Sequence, residues 1–291
     1  MAATLIDGRA VATAIREELK ERIGQLAGVT PGLAAVVVGS DPAAASYLKG
    51  IARGCEAVGI FHEQFALPEG VSQSQLEERI AALNGDARFH GIILQLPLPR
   101  HLDALRAESA ISPDKDVDGT NPVSAGRLLL GEKTFYPSTA LGVKELLLRS
   151  GHSPEGRHVV ICGRSNIVGK PLAVILMQKQ IGANATVTVC HTGTIDMASF
   201  TRNADIVVAA MGRPRSLTAD MVRPGAIVVD VGVNQVDDPE TGKPRLVGDV
   251  DFEPVAEIAA AITPVPGGTG PVTSAVLLSN TVLAAERLAA H

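Results

Sequence analysis

Residues 159–173 read VVICGRSNIVGKPLA, and they predict a strand, a tight turn and the start of a helix. The first four residues form a short apolar run of the kind that a buried parallel strand needs. Gly163 and Gly169 bracket the turn, where glycines let the backbone approach a pyrophosphate at a helix N-terminus. Ser165 stands where the G-x-G-x-x-G spacing has its second glycine. The stretch therefore indicates either a dinucleotide site or an ordinary strand–turn–helix junction.

The next predicted strand, residues 185–190, is followed by His191 and Thr192 instead of an acidic residue. NAD-binding units usually have Asp or Glu at this position to accept hydrogen bonds from the ribose 2′-hydroxyl. Arg164 lies in the first turn, and a cation there with no carboxylate to repel a phosphate is the arrangement expected for NADP. On the alternative interpretation, Arg164 is a solvated surface arginine.

Length and composition indicate a soluble globular protein of two domains. The chain has 291 residues, of which 46% are hydrophobic and 20% are charged. The net charge of −5 argues against nucleic acid as a partner. No apolar run approaches the ~18 residues of a membrane span, and the first residues lack signal-peptide features. Three widely spaced cysteines suggest reduced thiols and a cytoplasmic protein.

Strands and helices alternate along the chain, which predicts α/β domains with largely parallel sheets. Residues 101–136 are predicted to be a loop-rich connection. Strands are predicted near 33–38, 61–65, 91–96, 158–162, 186–190, 205–209, 226–231 and 261–264. Helices are predicted at 9–27, 44–58, 74–84, 139–150 and 271–289. Ligands of such sheets bind at the carboxyl ends of the strands.

Polar groups that interrupt the apolar runs are candidates for a binding crevice. Gln95 ends a buried strand, and Tyr47 offers a flat face on which a heteroaromatic ring could stack. Both could equally be ordinary core residues. Residues 114–119 contain three carboxylates, typical of a solvated turn or a weak cation site. Residues 264–271 (PVPGGTGP) are glycine-rich and are expected to bring backbone amides close to a ligand.

Five ordered segments together resemble the methylenetetrahydrofolate dehydrogenase/methenyltetrahydrofolate cyclohydrolase family. They are residues 91–99 (GIILQLPLP), 115–119 (KDVDG), 163–172 (GRSNIVGKPL), 248–250 (GDV) and 263–268 (TPVPGG). The resemblance runs nearly from end to end. It implies a folate-binding catalytic domain, residues 1–138, completed by a C-terminal helix at 271–291. It also implies a Rossmann-like NADP-binding domain at 139–270, a cleft between the two domains, and a homodimer.

The resemblance also implies roles for individual residues. A tetrahydrofolate derivative would be the substrate, Tyr47, Gln95 and Asp118 would be catalytic, and no metal is expected. Substrate-binding residues would be Tyr47, Gln95, Pro97, Asp118, Pro266, Gly267 and Gly268. Cofactor-binding residues would be Gly163, Arg164, Ser165, Ile167, His191, Thr192, Val231, Gly232 and Val233.

One position departs from the family pattern in a way that bears on the chemistry. The family has Tyr-x-x-x-Lys, with the lysine as the proton-transfer residue, but here Ile51 follows Tyr47 by four residues. Position i+4 lies ~40° around a helix from Tyr47, whereas Lys49 at i+2 lies ~200° away. Lys49 therefore cannot replace the missing lysine without moving the helix.

Further departures lie at positions that the family pattern assigns to the folate side: Ala44, Ser124, Ser138, Ala140, Thr269 and Val272.

We expect NADP-dependent oxidation of 5,10-methylenetetrahydrofolate to 5,10-methenyltetrahydrofolate, with cyclohydrolase activity weak or absent. One alternative is the full bifunctional enzyme that produces 10-formyltetrahydrofolate, with Arg53 or a chain of waters replacing the lysine. Another is a non-catalytic paralogue that binds folate or NADP. A generic Rossmann dehydrogenase is disfavoured by the segments around Gln95 and Asp118.

Overall fold

The structure is a computed structural model that describes residues 3–26, 28–237 and 242–289. The described residues form two compact units. One contains residues of the ranges 1–12 and 139–273, and the other contains residues of the ranges 13–138 and 274–291.

Eleven strands and ten α-helices alternate along the described residues, together with a short 3-10 helix at Ala219–Met221. The strands are β1 (Thr4–Leu5), β2 (Gly32–Val38), β3 (Phe61–Leu67), β4 (Gly91–Leu94), β5 (His158–Cys162), β6 (Thr186–Cys190), β7 (Ile206–Ala209), β8 (Ile227–Asp230), β9 (Asn234–Asp237), β10 (Pro244–Val247) and β11 (Ala261–Ile262). The helices are α1 (Gly8–Gly24), α2 (Pro42–Val58), α3 (Gln73–Gly85), α4 (Ala104–Ala110), α5 (Pro122–Leu130), α6 (Ser138–Arg149), α7 (Gly169–Met177), α8 (Met197–Thr201), α9 (Phe252–Ile258) and α10 (Thr269–Ala289).

The unit that contains residues 139–273 is built on a six-stranded sheet in the order β1-β11-β8-β7-β5-β6. Every neighbouring pair in this sheet is parallel. All residues of β7 and β8 are buried, as is β5 beyond its first residue. Burial on both faces explains why these strands read as unbroken apolar runs. The predicted parallel α/β architecture is confirmed.

The unit that contains residues 13–138 has a smaller parallel sheet in the order β3-β2-β4. All seven residues of β2 and all four of β4 are buried. Their side chains pack in a cluster with α3 through Leu76, Ile80 and Leu83, and with Phe89. This packing holds the carboxyl end of β4 in place, and Gln95 is the next residue in the chain.

The final helix contributes to this second unit from residue 274 onward. The Asn280 side-chain amide of α10 is buried and donates to the Val117 carbonyl at 2.8 Å and to the Tyr136 carbonyl at 3.1 Å. Because Val117 precedes Asp118, these hydrogen bonds hold the loop that presents the Asp118 side chain. The last two residues of the predicted helical segment, 290 and 291, lie outside the described residues, as does residue 27 of the first predicted helix.

Two expectations from the sequence differ from the structure. Residues 1–138 were assigned to one domain, but β1 lies at the edge of the six-stranded sheet, where the Thr4 amide donates to the Ala260 carbonyl at 2.9 Å. Residues 101–136 were expected to be loop-rich, but they contain α4 and α5. Asp103 and Asn121 cap these helices by accepting hydrogen bonds from backbone amides, and Pro122 occupies the first turn of α5.

The helices of the described residues include none that is long and apolar enough to cross a membrane. The three cysteines are free and buried.

Candidate functional site

The turn after β5 requires glycine at position 163. The Gly163 amide donates to the Cys190 carbonyl at 2.8 Å, which ties the turn to the end of β6. Its φ is +141°, a value that favours glycine, and a Cβ there would overlap the Ala210 carbonyl oxygen. The turn after β5 therefore packs backbone against backbone on the segment that follows β7.

Ser165 replaces the second glycine of the usual fingerprint and has a local role. Its hydroxyl accepts a hydrogen bond from the Val168 amide at 3.1 Å, and its carbonyl accepts one from the Lys170 amide at 3.1 Å. These bonds close the loop that leads into α7. The strand, turn and helix predicted from residues 159–173 are all present.

A cavity of about 380 Å³ lies at the carboxyl ends of β5, β6 and β7. It is lined by Gly163, Arg164, Ser165, His191, Thr192, Thr194, Met197, Ala210, Met211 and Arg213. Five of the predicted cofactor residues are thus brought together. None of these lining residues is acidic. The predicted cofactor residues Ile167, Val231 and Gly232 do not line this cavity.

Two arginines give this cavity its charge. The Arg164 and Arg213 side chains are exposed, and neither forms a hydrogen bond or an ion pair with another described residue. A guanidinium suits a phosphate because its planar donors match phosphate oxygens. Arg213 was not predicted from the sequence, although its position after the carboxyl end of β7 was a signal.

The loop after β6 is held by its own side chains. The His191 amide donates to the Thr194 hydroxyl at 2.9 Å, and the Gly193 amide donates to His191 Nδ1 at 3.0 Å. Thr192 is exposed beside the cavity. This side of the cavity therefore presents hydroxyl groups and a turn of small residues, which would accommodate a phosphate.

A second cavity, of about 260 Å³, lies in the same unit. It brings Val233 together with Pro266, Gly267 and Gly268, and Arg9 also lines it. Thr269 is buried, and its hydroxyl donates to the Asp230 carbonyl at 3.2 Å. This bond ties the start of α10 to the end of β8.

The acidic loop of the other unit is not a solvated turn. Lys115 is buried, and its ammonium donates to the Leu83 carbonyl at 3.1 Å and the Asp86 carbonyl at 2.8 Å. The Asp116 carboxylate is fully buried and accepts hydrogen bonds from the amides of Thr120 and Asn121, both at 3.0 Å. These two residues build the loop, which leaves Asp118 available for another role.

Asp118 and Tyr47 interact electrostatically in this unit. Burial, with a smaller contribution from the charge of Asp118, raises the pKa of the Tyr47 hydroxyl. Burial also raises the pKa of Asp118 to about 7, and the charges of Asp116 and Glu108 add to the effect. The buried Ser138 hydroxyl lowers the pKa of Asp118 in part, but its geometry falls short of a hydrogen bond. Asp118 can thus exchange a proton near neutral pH.

Gln95 and Pro97 follow β4. Gln95 is half-buried, and its Nε2 donates to the Leu96 carbonyl at 2.6 Å, so its side-chain oxygen is left to accept another hydrogen bond. Pro97 is exposed, and the Leu96–Pro97 peptide bond is cis. The sequence placed Gln95 correctly at the end of a buried strand.

Ile51 is only 1% exposed on α2, one helical turn after Tyr47. Lys49 and Arg53 are both exposed, and the Arg53 guanidinium donates to the Lys49 carbonyl at 3.3 Å. Among the described residues, no group of three or more His, Cys, Asp or Glu side chains could hold a metal ion.

Comparison with known proteins matches both halves of the chain to family descriptions. Residues 6–118 match "Tetrahydrofolate dehydrogenase/cyclohydrolase, catalytic domain". Residues 137–289 match "Tetrahydrofolate dehydrogenase/cyclohydrolase, NAD(P)-binding domain". A Syntrophus aciditrophicus protein named "Bifunctional protein FolD" is 52% identical over 288 residues, which cover 98% of each chain.

Two solved structures are similar over nearly the whole chain. The bifunctional enzyme FolD, methylenetetrahydrofolate dehydrogenase/cyclohydrolase, from Campylobacter jejuni has a TM-score of 0.93 and 45% identity, covering 99% of this chain and 100% of its own. The Trypanosoma brucei methylenetetrahydrofolate dehydrogenase-cyclohydrolase, solved with NADP cofactor and an inhibitor, has a TM-score of 0.92 and 41% identity, covering 99% of each chain.

The variant Asp118→Asn tests the raised pKa of this half-buried carboxyl group. The pKa of Asp118 is raised from 3.8, its value in an unfolded chain, to about 7 in the folded protein. The contribution of this group to the free energy of unfolding is therefore largest below the unfolded pKa, and it is lost as the pH rises through 7. Asparagine stays neutral at every pH. We therefore expect the Tm of the variant to rise relative to the Tm of the wild type as the pH is increased from about 4 to about 8. Scanning calorimetry across this range measures the difference.

The matched control is Asp114→Asn, an exposed carboxylate in the same loop, for which we expect no such pH-dependent gain. A difference between Asp118→Asn and wild type that stays constant with pH would contradict the raised pKa.

Proposed function

The chain belongs to the tetrahydrofolate dehydrogenase/cyclohydrolase family, and on this premise we propose that it oxidises 5,10-methylenetetrahydrofolate to 5,10-methenyltetrahydrofolate with NADP. The observation that supports this most strongly is the cavity at the carboxyl ends of β5, β6 and β7. It has two arginines, no acidic lining residue, and a glycine turn in which a Cβ would meet backbone. This combination fits a dinucleotide with an additional phosphate.

The residues of this cavity bind and orient the cofactor. When bound, NADP supplies the hydride acceptor. Arg164 binds the 2′-phosphate, and the small Gly163 allows the backbone to approach the pyrophosphate. Thr192 offers a hydroxyl instead of the carboxylate that would repel this phosphate. Contacts with the 2′-phosphate thus hold the cofactor in place, although this phosphate takes no part in the reaction itself.

The residues of the other unit bind and orient the folate. The Tyr47 ring is 41% exposed and provides a flat face for stacking on the substrate. Ionised Asp118 accepts hydrogen bonds from donors on the pterin, and the Gln95 oxygen lies near the reacting carbon. Loss of a hydride leaves a methenyl cation, and the negative charge of Asp118 favours that product electrostatically.

The cyclohydrolase step is proposed to be weak in this protein. Hydrolysis of the methenyl cation needs an activated water and a residue that shuttles protons. Ile51 has no ionisable group, and the two cations nearest in sequence, Lys49 and Arg53, are exposed. This proposal rests on the isoleucine at position 51, where the family resemblance implies a lysine.

A second candidate function is the full bifunctional activity, which would yield 10-formyltetrahydrofolate. The names of the relatives favour it, because the Syntrophus and Campylobacter proteins are both called bifunctional. They give no support to a weakened cyclohydrolase. In that case the proton-transfer group would be Asp118, whose pKa of about 7 suits the task, and not the exposed Arg53.

A homodimer and a cytoplasmic location remain predictions from the family resemblance and from the three reduced cysteines. The non-catalytic paralogue would bind folate or NADP without turnover, so it predicts that no NADPH forms in a single turnover.

The variant Arg164→Ala tests the assignment of the cofactor. Because the lost guanidinium would contact only the 2′-phosphate, we expect kcat/KM for NADP to fall roughly 10- to 100-fold while that for NAD changes little. Initial rates of NADPH and NADH formation measure the two constants. Arg202→Ala, an exposed arginine on α8's C-terminal side, is the control and should change neither. Equal losses with NAD and NADP in Arg164→Ala would overturn the assignment.

The ratio of methenyl to 10-formyl product tests the role of position 51. Absence of a general acid or base typically lowers a rate by ~100- to 10,000-fold, so the wild type should accumulate methenyltetrahydrofolate at early times. We expect Ile51→Lys to lower this ratio, although Ala44 and Ser124 limit the gain. NADPH and methenyl absorbance are followed separately in one assay. If the wild type hydrolyses methenyltetrahydrofolate as fast as it forms, the bifunctional candidate is correct.

A further inference from the structure

Asp249 is a fully buried carboxylate that the proposed reaction does not use. Its two oxygens accept hydrogen bonds from three successive backbone amides, those of Met211 at 2.5 Å, Gly212 at 2.9 Å and Arg213 at 2.9 Å. The Asn234 side-chain amide donates to the same carboxylate at 2.9 Å. Four donors therefore fix one side chain, and that side chain fixes the segment after β7.

A second buried carboxylate holds Asp249 in place. Asp230, at the end of β8, accepts hydrogen bonds from the amides of Asp249 at 3.0 Å, Val250 at 2.9 Å and Gly232 at 2.9 Å. The amides neutralise the buried charge of both carboxylates in part. Asp230 therefore positions the backbone of Asp249, and Asp249 positions residues 211–213.

Two neighbouring glycines leave room for these carboxylates. A Cβ at Gly232 would overlap Asp249 Oδ1, and a Cβ at Gly248 would overlap Asp230 Oδ2. The arrangement is thus close-packed, and a displaced carboxylate has no other place to lie. This explains why the segment Gly248–Asp249 requires both a glycine and an acid.

The segment that Asp249 holds forms one side of the arginine-containing cavity, through Met211 and Arg213. We propose that Asp249 is a positioning residue for the cofactor: it fixes the amides of residues 211–213 so that the Arg213 side chain faces the bound dinucleotide as a second cation. The proposal rests on the assignment of NADP to this cavity. Asp249 itself does not line the cavity, so it acts through Arg213 and the backbone.

A purely electrostatic role would have the opposite effect on binding. Asp249 is a negative charge behind a site for an anionic cofactor, so removing that charge would strengthen NADP binding if charge alone mattered. Loss of position weakens binding instead, because asparagine has only one acceptor oxygen for the three amides. The direction of the change therefore separates the two roles.

The experiment is equilibrium binding and steady-state kinetics of the full-length protein with Asp249→Asn. We expect the Kd and KM for NADP to rise roughly 10- to 100-fold, as for a misplaced binding group. The KM for methylenetetrahydrofolate should stay within about twofold, and kcat at saturating NADP should fall far less than kcat/KM. Calorimetric titration measures the Kd for NADP. The titration is done at about pH 8, because Asp230, whose pKa is about 6, is then ionised.

Asp251→Asn is the matched control, because this carboxylate lies two residues away and makes no side-chain cap on α9. It should leave all four constants unchanged. Asn234→Ala keeps the carboxylate but removes one of its donors, so a smaller rise in the Kd for NADP is expected. This second variant also gives the answer if Asp249→Asn does not fold.

Three results would overturn the proposal. NADP binding by Asp249→Asn that equals or exceeds that of the wild type would show that the charge and not the position matters, or that neither does. A lower unfolding temperature with an unchanged Kd would show a merely structural role. Failure of the wild type itself to bind NADP would refute the cofactor assignment, and this proposal with it.

Discussion

Close packing of backbone at the carboxyl ends of β5, β6 and β7 is the constraint on which the cofactor site depends. Strand β7 is buried throughout, and β5 is buried beyond its first residue, so on these two strands polar groups appear only where the strands end. At that edge Gly163 packs on the Ala210 carbonyl, a contact that no side chain would permit. The cavity that results is bounded by turns, and its chemistry comes from Arg164 and Arg213 beside them.

Carboxylates that are withdrawn from solvent have two different roles in this protein. Asp116 and Asp249 each accept several backbone hydrogen bonds and thereby hold loops in place. Asp118 has no comparable set of donors among the described residues, and its pKa is raised to about 7. The raised pKa means that the ionised form of Asp118 is unfavourable in the protein alone, which points to a ligand that completes its hydrogen bonds.

The sequence predicted the two parallel sheets, because buried strands leave unbroken apolar runs, and five of the residues it singled out line the arginine-containing cavity where such runs end. It missed α4 and α5, which are seven and nine residues long. Their caps at Asp103 and Asn121 were visible, but segments so short show little helical periodicity. The role of Asp249 could not be predicted, since its three backbone partners lie 36 to 38 residues earlier and leave no local pattern. The edge position of β1 is likewise set by tertiary contacts alone.

The central claim is that the cavity beside Arg164 binds NADP through its 2′-phosphate. A crystal structure of the protein with NADP tests this claim most directly. The account predicts that the 2′-phosphate lies within hydrogen-bond distance of the Arg164 guanidinium, with the pyrophosphate against the turn at Gly163. A cofactor bound away from this cavity, or a 2′-phosphate that contacts neither Arg164 nor Arg213, would contradict it.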